Sequence, residues 1–161
     1  MASCKKILLV DDDYEVIFGA GLRLRAAGYE TVAAYDGLQG VAAAIDHLPD
    51  AIVLDVRMPL LDGLAALVRL RSFPATKNIP VVIVSARLVD RRTALESGAR
   101  FFLSKPYQPK ILLAAVASAI NDARASEPLD FPQPGESLGE SWDMKPRLAD
   151  EMPPANATAR I

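Results

Sequence analysis

Residues 6–13 read KILLVDDD, a short apolar run that ends in three consecutive aspartates. Residues 51–55 read AIVLD and repeat this arrangement. Short apolar runs that contain β-branched residues are typical of buried strands in a parallel sheet. A stretch of helical composition comes after each run, so both segments predict a strand that leads into a helix.

The same alternation of strand and helix continues through the first 125 residues. It predicts five strands, at residues 6–10, 30–34, 51–54, 81–84 and 101–103, and five helices, at residues 13–27, 38–47, 64–73, 88–97 and 109–123. Asp13 and Asp36 are placed to cap the first two helices, and Gly28 and Gly98 lie where helices should end. The pattern predicts an α/β fold, a doubly wound (βα)5 unit whose five-stranded parallel sheet has helices on both faces.

The composition favours one globular domain. The chain has 161 residues, of which 51% are hydrophobic and 24% charged, enough apolar material for a core. The longest apolar run, residues 111–120, is too short to cross a bilayer, and residues 1–13 lack the apolar segment of a secretory signal. We therefore expect a cytoplasmic protein that does not insert into membranes.

The last part of the chain differs in character. Residues 1–125 carry 15 basic and 13 acidic side chains, whereas residues 126–161 carry 3 and 7 and half of the twelve prolines. This composition predicts a flexible, Pro-rich acidic tail. A weakly apolar patch around Trp142 is either a short docking motif or part of an unstructured segment. Neither part has a dense basic stripe or a helix-turn-helix pattern, so we expect no direct nucleic-acid contact.

Carboxylates lie at the ends of two predicted strands. Asp11 and Asp12 follow the first strand, and Asp55 follows the third. If these strands are neighbours, the three side chains converge where open parallel sheets bind ligands. Clustered carboxylates repel one another unless a cation intervenes, and an all-oxygen set suits Mg²⁺. Considered alone, the first aspartates could equally serve only to cap the first helix.

Two other predicted strands also end in polar residues. Ser85 follows the fourth strand, and Lys105 comes shortly after the fifth. A hydroxyl and an ammonium beside metal-bound carboxylates can hold a phosphoryl group, because the cations neutralise it and serine donates a hydrogen bond. One carboxylate can then act as the nucleophile that forms an aspartyl phosphate.

With these residues, the sequence resembles a response-regulator receiver domain of two-component signalling. The resemblance covers residues 4–124. Four segments carry it: residues 8–13 (LLVDDD), 55–63 (DVRMPLLDG), 82–86 (VIVSA) and 105–107 (KPY). It implies a flavodoxin-like sheet with strand order 2-1-3-4-5. It also implies a receiver domain in residues 1–125 with residues 126–161 as its tail.

The resemblance assigns a role to each of these side chains. Asp55 would accept the phosphoryl group, and Ser85 and Lys105 would bind phosphoryl oxygens. Mg²⁺ would be held by four residues, namely Asp12, Asp55, the backbone carbonyl of Arg57 and, through water, Asp11.

Three further positions modulate such a site in the family. Phe102 occupies the aromatic switch position that moves together with Ser85, although it lacks the hydroxyl group of a tyrosine. Arg57 and Arg87 flank the site at positions that influence the lifetime of the phosphoryl group. Their side chains either shield the acyl phosphate, engage the phosphodonor or are solvated loop charges. The Lys105–Pro106 peptide bond is usually cis in this family.

The implied function is a phosphorylation-dependent switch. It would receive its phosphoryl group from a histidine kinase or histidine phosphotransfer protein and catalyse only its own phosphotransfer and dephosphorylation, so we do not expect an enzyme. Its output would be protein–protein interaction by a stand-alone receiver. The face formed by the fourth helix, fifth strand and fifth helix would contact a downstream protein or a second copy in a homodimer. A hydrophobic surface on the fifth helix would contribute, unless neighbouring elements cover that helix.

Two other functions are compatible with these residues. A pseudo-receiver would bind partners without phosphorylation. A phosphatase of the haloacid-dehalogenase type would use an aspartate nucleophile after the first strand. The pair of Asp11 and Asp13 fits that pattern, although Glu15 departs from it and no cap domain is visible. The acidic tail could also dock on a basic rim formed by the arginines of the fourth helix.

Overall fold

The computed structural model describes residues 3–122. Within them, five strands alternate with five helices. The strands are β1 (Lys6–Val10), β2 (Glu30–Ala34), β3 (Ala51–Asp55), β4 (Val81–Ser85) and β5 (Phe101–Ser104). The helices are α1 (Tyr14–Ala26), α2 (Gly37–His47), α3 (Gly63–Ser72), α4 (Asp90–Glu96) and α5 (Pro109–Asn121). The predicted tail, residues 126–161, lies outside the described residues.

All strand pairs are parallel, and the strand order is β2-β1-β3-β4-β5. Successive residues of a strand point to opposite faces, so β1, β3, β4 and β5 each contribute to two cores. Ile7 and Leu9 belong to a core that includes residues of α1 and α5. Leu8 and Val10 belong to a second core that includes residues of α2, α3 and α4. The predicted doubly wound (βα)5 fold of flavodoxin-like order is confirmed.

Three strands extend one residue beyond the predicted apolar runs. Asp55, Ser85 and Ser104 are the last residues of β3, β4 and β5. The sequence-based boundaries stopped at the last apolar side chain, whereas strand pairing depends on the backbone. The amide of Val56, for example, still donates to the carbonyl of Val84 at 3.1 Å. The polar site residues are therefore held by the sheet itself.

Helix α4 is shorter than predicted. Residues 88 and 89 precede it in tight turns, in which Asp90 N donates to Arg87 O and Arg91 N to Leu88 O. Val89 provides no side-chain cap for the helix. The other helix boundaries lie within two residues of the prediction.

The predicted residues at the helix ends are confirmed. Asp13 and Asp36 accept hydrogen bonds from backbone amides in the first turns of α1 and α2. Gly28 and Gly98 have φ angles of 95° and 100°, a left-handed conformation that glycine adopts without a steric penalty.

Helix α5 is covered by its neighbours. Each residue from 111 to 120 is buried or half-buried. Of the two alternatives for α5, this burial favours a helix that is covered by its neighbours, because α5 packs on the sheet and beside α1. No helix within residues 3–122 is long and apolar enough to cross a membrane.

Candidate functional site

Three carboxylates meet at the carboxyl edge of the sheet. Asp11 follows β1 directly, Asp55 ends β3, and these two strands are paired neighbours. Asp11, Asp12 and Asp55 each offer one oxygen, and these oxygens lie within 4.8 Å of one another. Asp11 and Asp55 are buried, whereas Asp12 is exposed. The parallel pairing of β1 and β3 thus produces the predicted convergence.

Lys105 connects two of these carboxylates. Its Nζ lies 2.9 Å from Asp11 Oδ2 and 2.9 Å from Asp55 Oδ1. Burial alone would lower the pKa of Lys105, but the hydrogen bonds to the two carboxylates outweigh it and raise the pKa. The side chain therefore remains an ammonium at neutral pH. It follows β5, and the Lys105–Pro106 peptide bond is cis, as the resemblance implied.

The cluster has more negative than positive charge. Burial raises the pKa of Asp55, the hydrogen bond from Lys105 lowers it, and repulsion by Asp11 and Asp12 raises it further, so that the pKa is raised overall. An additional cation would relieve this repulsion. Three carboxylate oxygens in one cluster are the donor set that Mg²⁺ prefers, so these residues fit that ion.

Gly63 fixes the backbone at the end of β3. A Cβ atom on this residue would lie 2.0 Å from the carbonyl oxygen of Asp55. The Gly63 amide also donates to the carbonyl of Val56 at 2.8 Å. Only glycine permits α3 to begin this close to the strand. This contact holds the strand end that carries Asp55 and the loop that contains Arg57.

Ser85 lies at the sheet edge, but its hydroxyl is engaged with the start of α4. The side chain is fully buried at the end of β4. Its Oγ donates to Asp90 Oδ2 at 2.7 Å and accepts from the Arg87 amide at 3.1 Å. Sequence reasoning placed Ser85 at the site and missed Asp90, since the choice of rotamer depends on the geometry of the loop between β4 and α4.

The other predicted site residues surround this cluster. Phe102 is only 1% exposed and lies in the second core together with Ala94 of α4. Arg57 and Arg87 are exposed in the loops after β3 and β4. Asp13, the second aspartate of the phosphatase alternative, uses a carboxylate oxygen to cap α1.

Tyr107 is a second residue near the site that the sequence reasoning did not select. Together with Asp11 and Asp55 it lines a small cavity between the sheet and α1. Burial raises the pKa of its hydroxyl, so the side chain is neutral at physiological pH. Its position directly after the Lys105–Pro106 pair was the available signal.

Comparison with known proteins agrees with this architecture. Residues 7–117 match the family model of the response regulator receiver domain. The chain is 38% identical over 117 residues to the transcriptional regulatory protein PrrA of Mycobacterium tuberculosis, a match that covers 71% of this chain and 49% of PrrA. It is 42% identical over 115 residues to the response regulator PleD of Caulobacter vibrioides, covering 70% of this chain and 25% of PleD. The chain thus spans half or less of these two relatives.

Solved structures give the same result. The receiver domain of the sensor histidine kinase PA1611 of Pseudomonas aeruginosa, with magnesium coordinated in its active-site cleft, is 30% identical. It superposes with a TM-score of 0.68 over 74% of this chain and 99% of that one. The receiver domain of the Francisella response regulator 1452 is also 30% identical, with a TM-score of 0.68 over 73% and 98% of the two chains. The chain belongs to the response regulator receiver domain family.

Proposed function

We propose that the chain is a Mg²⁺-dependent switch that accepts a phosphoryl group on Asp55. The observation that carries this proposal is the cluster of Asp11, Asp12 and Asp55 with the Lys105 ammonium bonded to two of them. Asp55 is the member that belongs to a strand and already contacts this cation. Its backbone is held by α3, so its carboxylate is pre-positioned for attack.

In the reaction, a carboxylate oxygen of Asp55 attacks the phosphorus atom of the donor. The bond between phosphorus and the donor's leaving group breaks, the leaving group departs with the electron pair, and Asp55 becomes an acyl phosphate. Attack by water later returns the free carboxylate and inorganic phosphate. Asp11, Asp12, Asp55 and the backbone carbonyl of Arg57 would hold Mg²⁺. When bound, the ion neutralises the negative charge that otherwise opposes the approach of a phosphoryl donor.

Lys105 and Ser85 would hold the transferred group. Lys105 is bonded to Asp55 and would interact with an oxygen of the new phosphoryl group. Ser85 would donate to another oxygen after its hydroxyl has turned toward Asp55. Phe102 would move with Ser85 as the aromatic switch residue, a role limited by its lack of a hydroxyl group.

Arg57 and Arg87 would prolong the life of the acyl phosphate by shielding it from water. Both side chains are exposed in loops at the carboxyl edge of the sheet. Arg57→Ala and Arg87→Ala should therefore shorten the half-life of the phosphoryl group. Half-lives equal to that of the wild type would show that both arginines are solvated loop charges.

The two alternatives have less support. A pseudo-receiver would not need the carboxylate cluster or its lysine, and both are assembled here. A phosphatase with Asp11 as nucleophile would need Asp13 as an acid in the site, but Asp13 caps α1. We therefore favour a protein that turns over only its own phosphoryl group, without an external substrate to hydrolyse.

The phosphoryl donor would be a histidine kinase or a histidine phosphotransfer protein. Exposed apolar side chains line the outer face of α1, which begins beside the carboxylates: Tyr14, Phe18 and Leu22, with Tyr35 stacked on Tyr14. Positions four residues apart lie on one face of a helix. A protein that docks on this face would reach Asp55, so this surface suits a phosphodonor.

Output would use the face formed by α4, β5 and α5, toward a downstream protein or a second copy of the chain. Since residues 111–120 of α5 are buried or half-buried, we assign this contact to four exposed residues at or near the start of α4. They are Arg87, Leu88, Val89 and Arg92. We propose that the receiver domain does not contact nucleic acid directly. We also propose a cytoplasmic location.

The test is the intact mass of the protein after incubation with acetyl phosphate and Mg²⁺. The wild type should gain one phosphoryl group, and EDTA should prevent the gain. Asp55→Asn should abolish it, whereas Asp46→Asn, an exposed residue of α2, should leave it unchanged. Labelling that survives Asp55→Asn would refute the assignment.

A further inference from the structure

The Ser85 hydroxyl group has one proton and donates it in a hydrogen bond to the carboxylate of Asp90. The Oγ–Oδ2 distance of 2.7 Å is that of a short hydrogen bond to a carboxylate. The Arg87 amide donates to the same oxygen from the loop between β4 and α4. Ser85 is completely buried, so its donor needs a protein acceptor. Asp90 supplies that acceptor.

We propose that Asp90 is a positioning residue that holds the Ser85 hydroxyl away from Asp55 until Asp55 is phosphorylated. This inference rests on the proposed function, because it requires a phosphoryl group at Asp55 as the competing acceptor. A hydroxyl group donates one hydrogen bond at a time. Ser85 therefore bonds either to Asp90 or to a phosphoryl oxygen. The exchange between these acceptors is a switch with two discrete positions.

This change of hydrogen-bond acceptor affects α4 because Asp90 is the first residue of that helix. Helix α4 has only seven residues, and Val89 at its N-cap makes no side-chain hydrogen bond. The bond between Ser85 and Asp90 therefore ties the first turn of α4 to the end of β4. When Ser85 turns to a phosphoryl oxygen, this tie is lost, and the turn with the exposed Leu88 and Val89 is free to rearrange.

The hydrogen bond between Ser85 and Asp90 matters more in this chain because the aromatic switch position is occupied by Phe102. Its ring is already buried in the second core, although the hydroxyl of Ser85 is still bonded to Asp90 in this structure. It also has no hydroxyl group through which to bond to a partner. Asp90 therefore provides a polar link between the phosphorylation site and α4 that does not depend on movement of the aromatic ring.

The first test is the rate of labelling by acetyl phosphate. Asp90→Ala should increase the rate about tenfold, because Ser85 no longer has to break its hydrogen bond to the charged Asp90 before it binds a phosphoryl oxygen. A tenfold change in rate corresponds to ~1.4 kcal/mol. Asp90→Asn keeps a neutral acceptor and should give a smaller increase. In a Ser85→Ala background, Asp90→Ala should have no effect. Glu96→Ala, at the other end of α4, is the matched control and should label at the wild-type rate.

The second test needs no phosphorylation. Hydrogen exchange of the backbone amides of residues 88–92 should increase equally in Ser85→Ala and Asp90→Ala, and the double variant should show no further increase. Additive effects in either test would overturn the proposal, as would unchanged exchange in Asp90→Ala. If the wild type is not labelled at all, the proposed function fails, and the exchange measurement alone decides whether the tie exists.

Discussion

Removal of the Lys105 ammonium should destabilise the protein because two buried carboxylates share it. In Lys105→Met, Asp11 and Asp55 lose a partner at 2.9 Å, while the aliphatic part of the side chain is retained. Breaking a buried ion pair from one side costs about 3–5 kcal/mol. Since 27% of the Lys105 side chain is exposed, solvent screens part of this cost, and we expect a loss of about 2–4 kcal/mol.

Mg²⁺ should reduce this loss. A ligand that binds only the folded state stabilises it by mass action, and the ion takes over the neutralisation of the same carboxylates. The loss measured in EDTA should therefore shrink by ~1 kcal/mol or more in saturating Mg²⁺.

Urea unfolding at neutral pH, with EDTA and with Mg²⁺, measures both quantities. Lys110→Met, at an exposed position of α5, is the control and should change the free energy of unfolding by less than ~0.5 kcal/mol. A loss below ~1 kcal/mol for Lys105→Met in EDTA, or an identical loss with and without Mg²⁺, would refute the reasoning.

Three other predictions test the site from different directions. The raised pKa of Asp55 means that its contribution to stability is present at acid pH and is lost as the pH rises through that pKa. Asp55→Asn should therefore stabilise the metal-free protein at neutral pH but not at acid pH, as measured by urea unfolding at a series of pH values. Gly63→Ala should lower the free energy of unfolding by about 2–3 kcal/mol and impair labelling, whereas Gly19→Ala, which meets no atom within 4 Å, should be neutral or slightly stabilising. Phe18→Ser should leave labelling by acetyl phosphate unchanged and slow labelling by a kinase or phosphotransfer protein that phosphorylates the wild type; equal rates would show that the exposed face of α1 does not bind the donor.

The sequence was sufficient to predict the sheet and the convergence of carboxylates. Both β1 and β3 are short apolar runs that lead into aspartate, and neighbouring parallel strands bring their carboxyl ends together. The caps at Asp13 and Asp36 were predictable because they depend on local hydrogen bonds.

Features that depend on tertiary packing could not be predicted. The coverage of α5 depends on how closely α1 and the sheet approach it, and the late start of α4 depends on the turns after β4. The engagement of Ser85 with Asp90 is a choice of rotamer within that loop. A pattern of residue types identifies the groups at a sheet edge but not their hydrogen-bond partners.

The most direct test of the central claim is the position of the phosphoryl group. After labelling with acetyl phosphate and Mg²⁺, borohydride reduces an aspartyl phosphate to homoserine, which peptide mass mapping locates in the chain. We predict homoserine at position 55 and unmodified aspartate at positions 11, 12 and 13. Homoserine at position 11 would indicate the phosphatase-type nucleophile and would contradict the account.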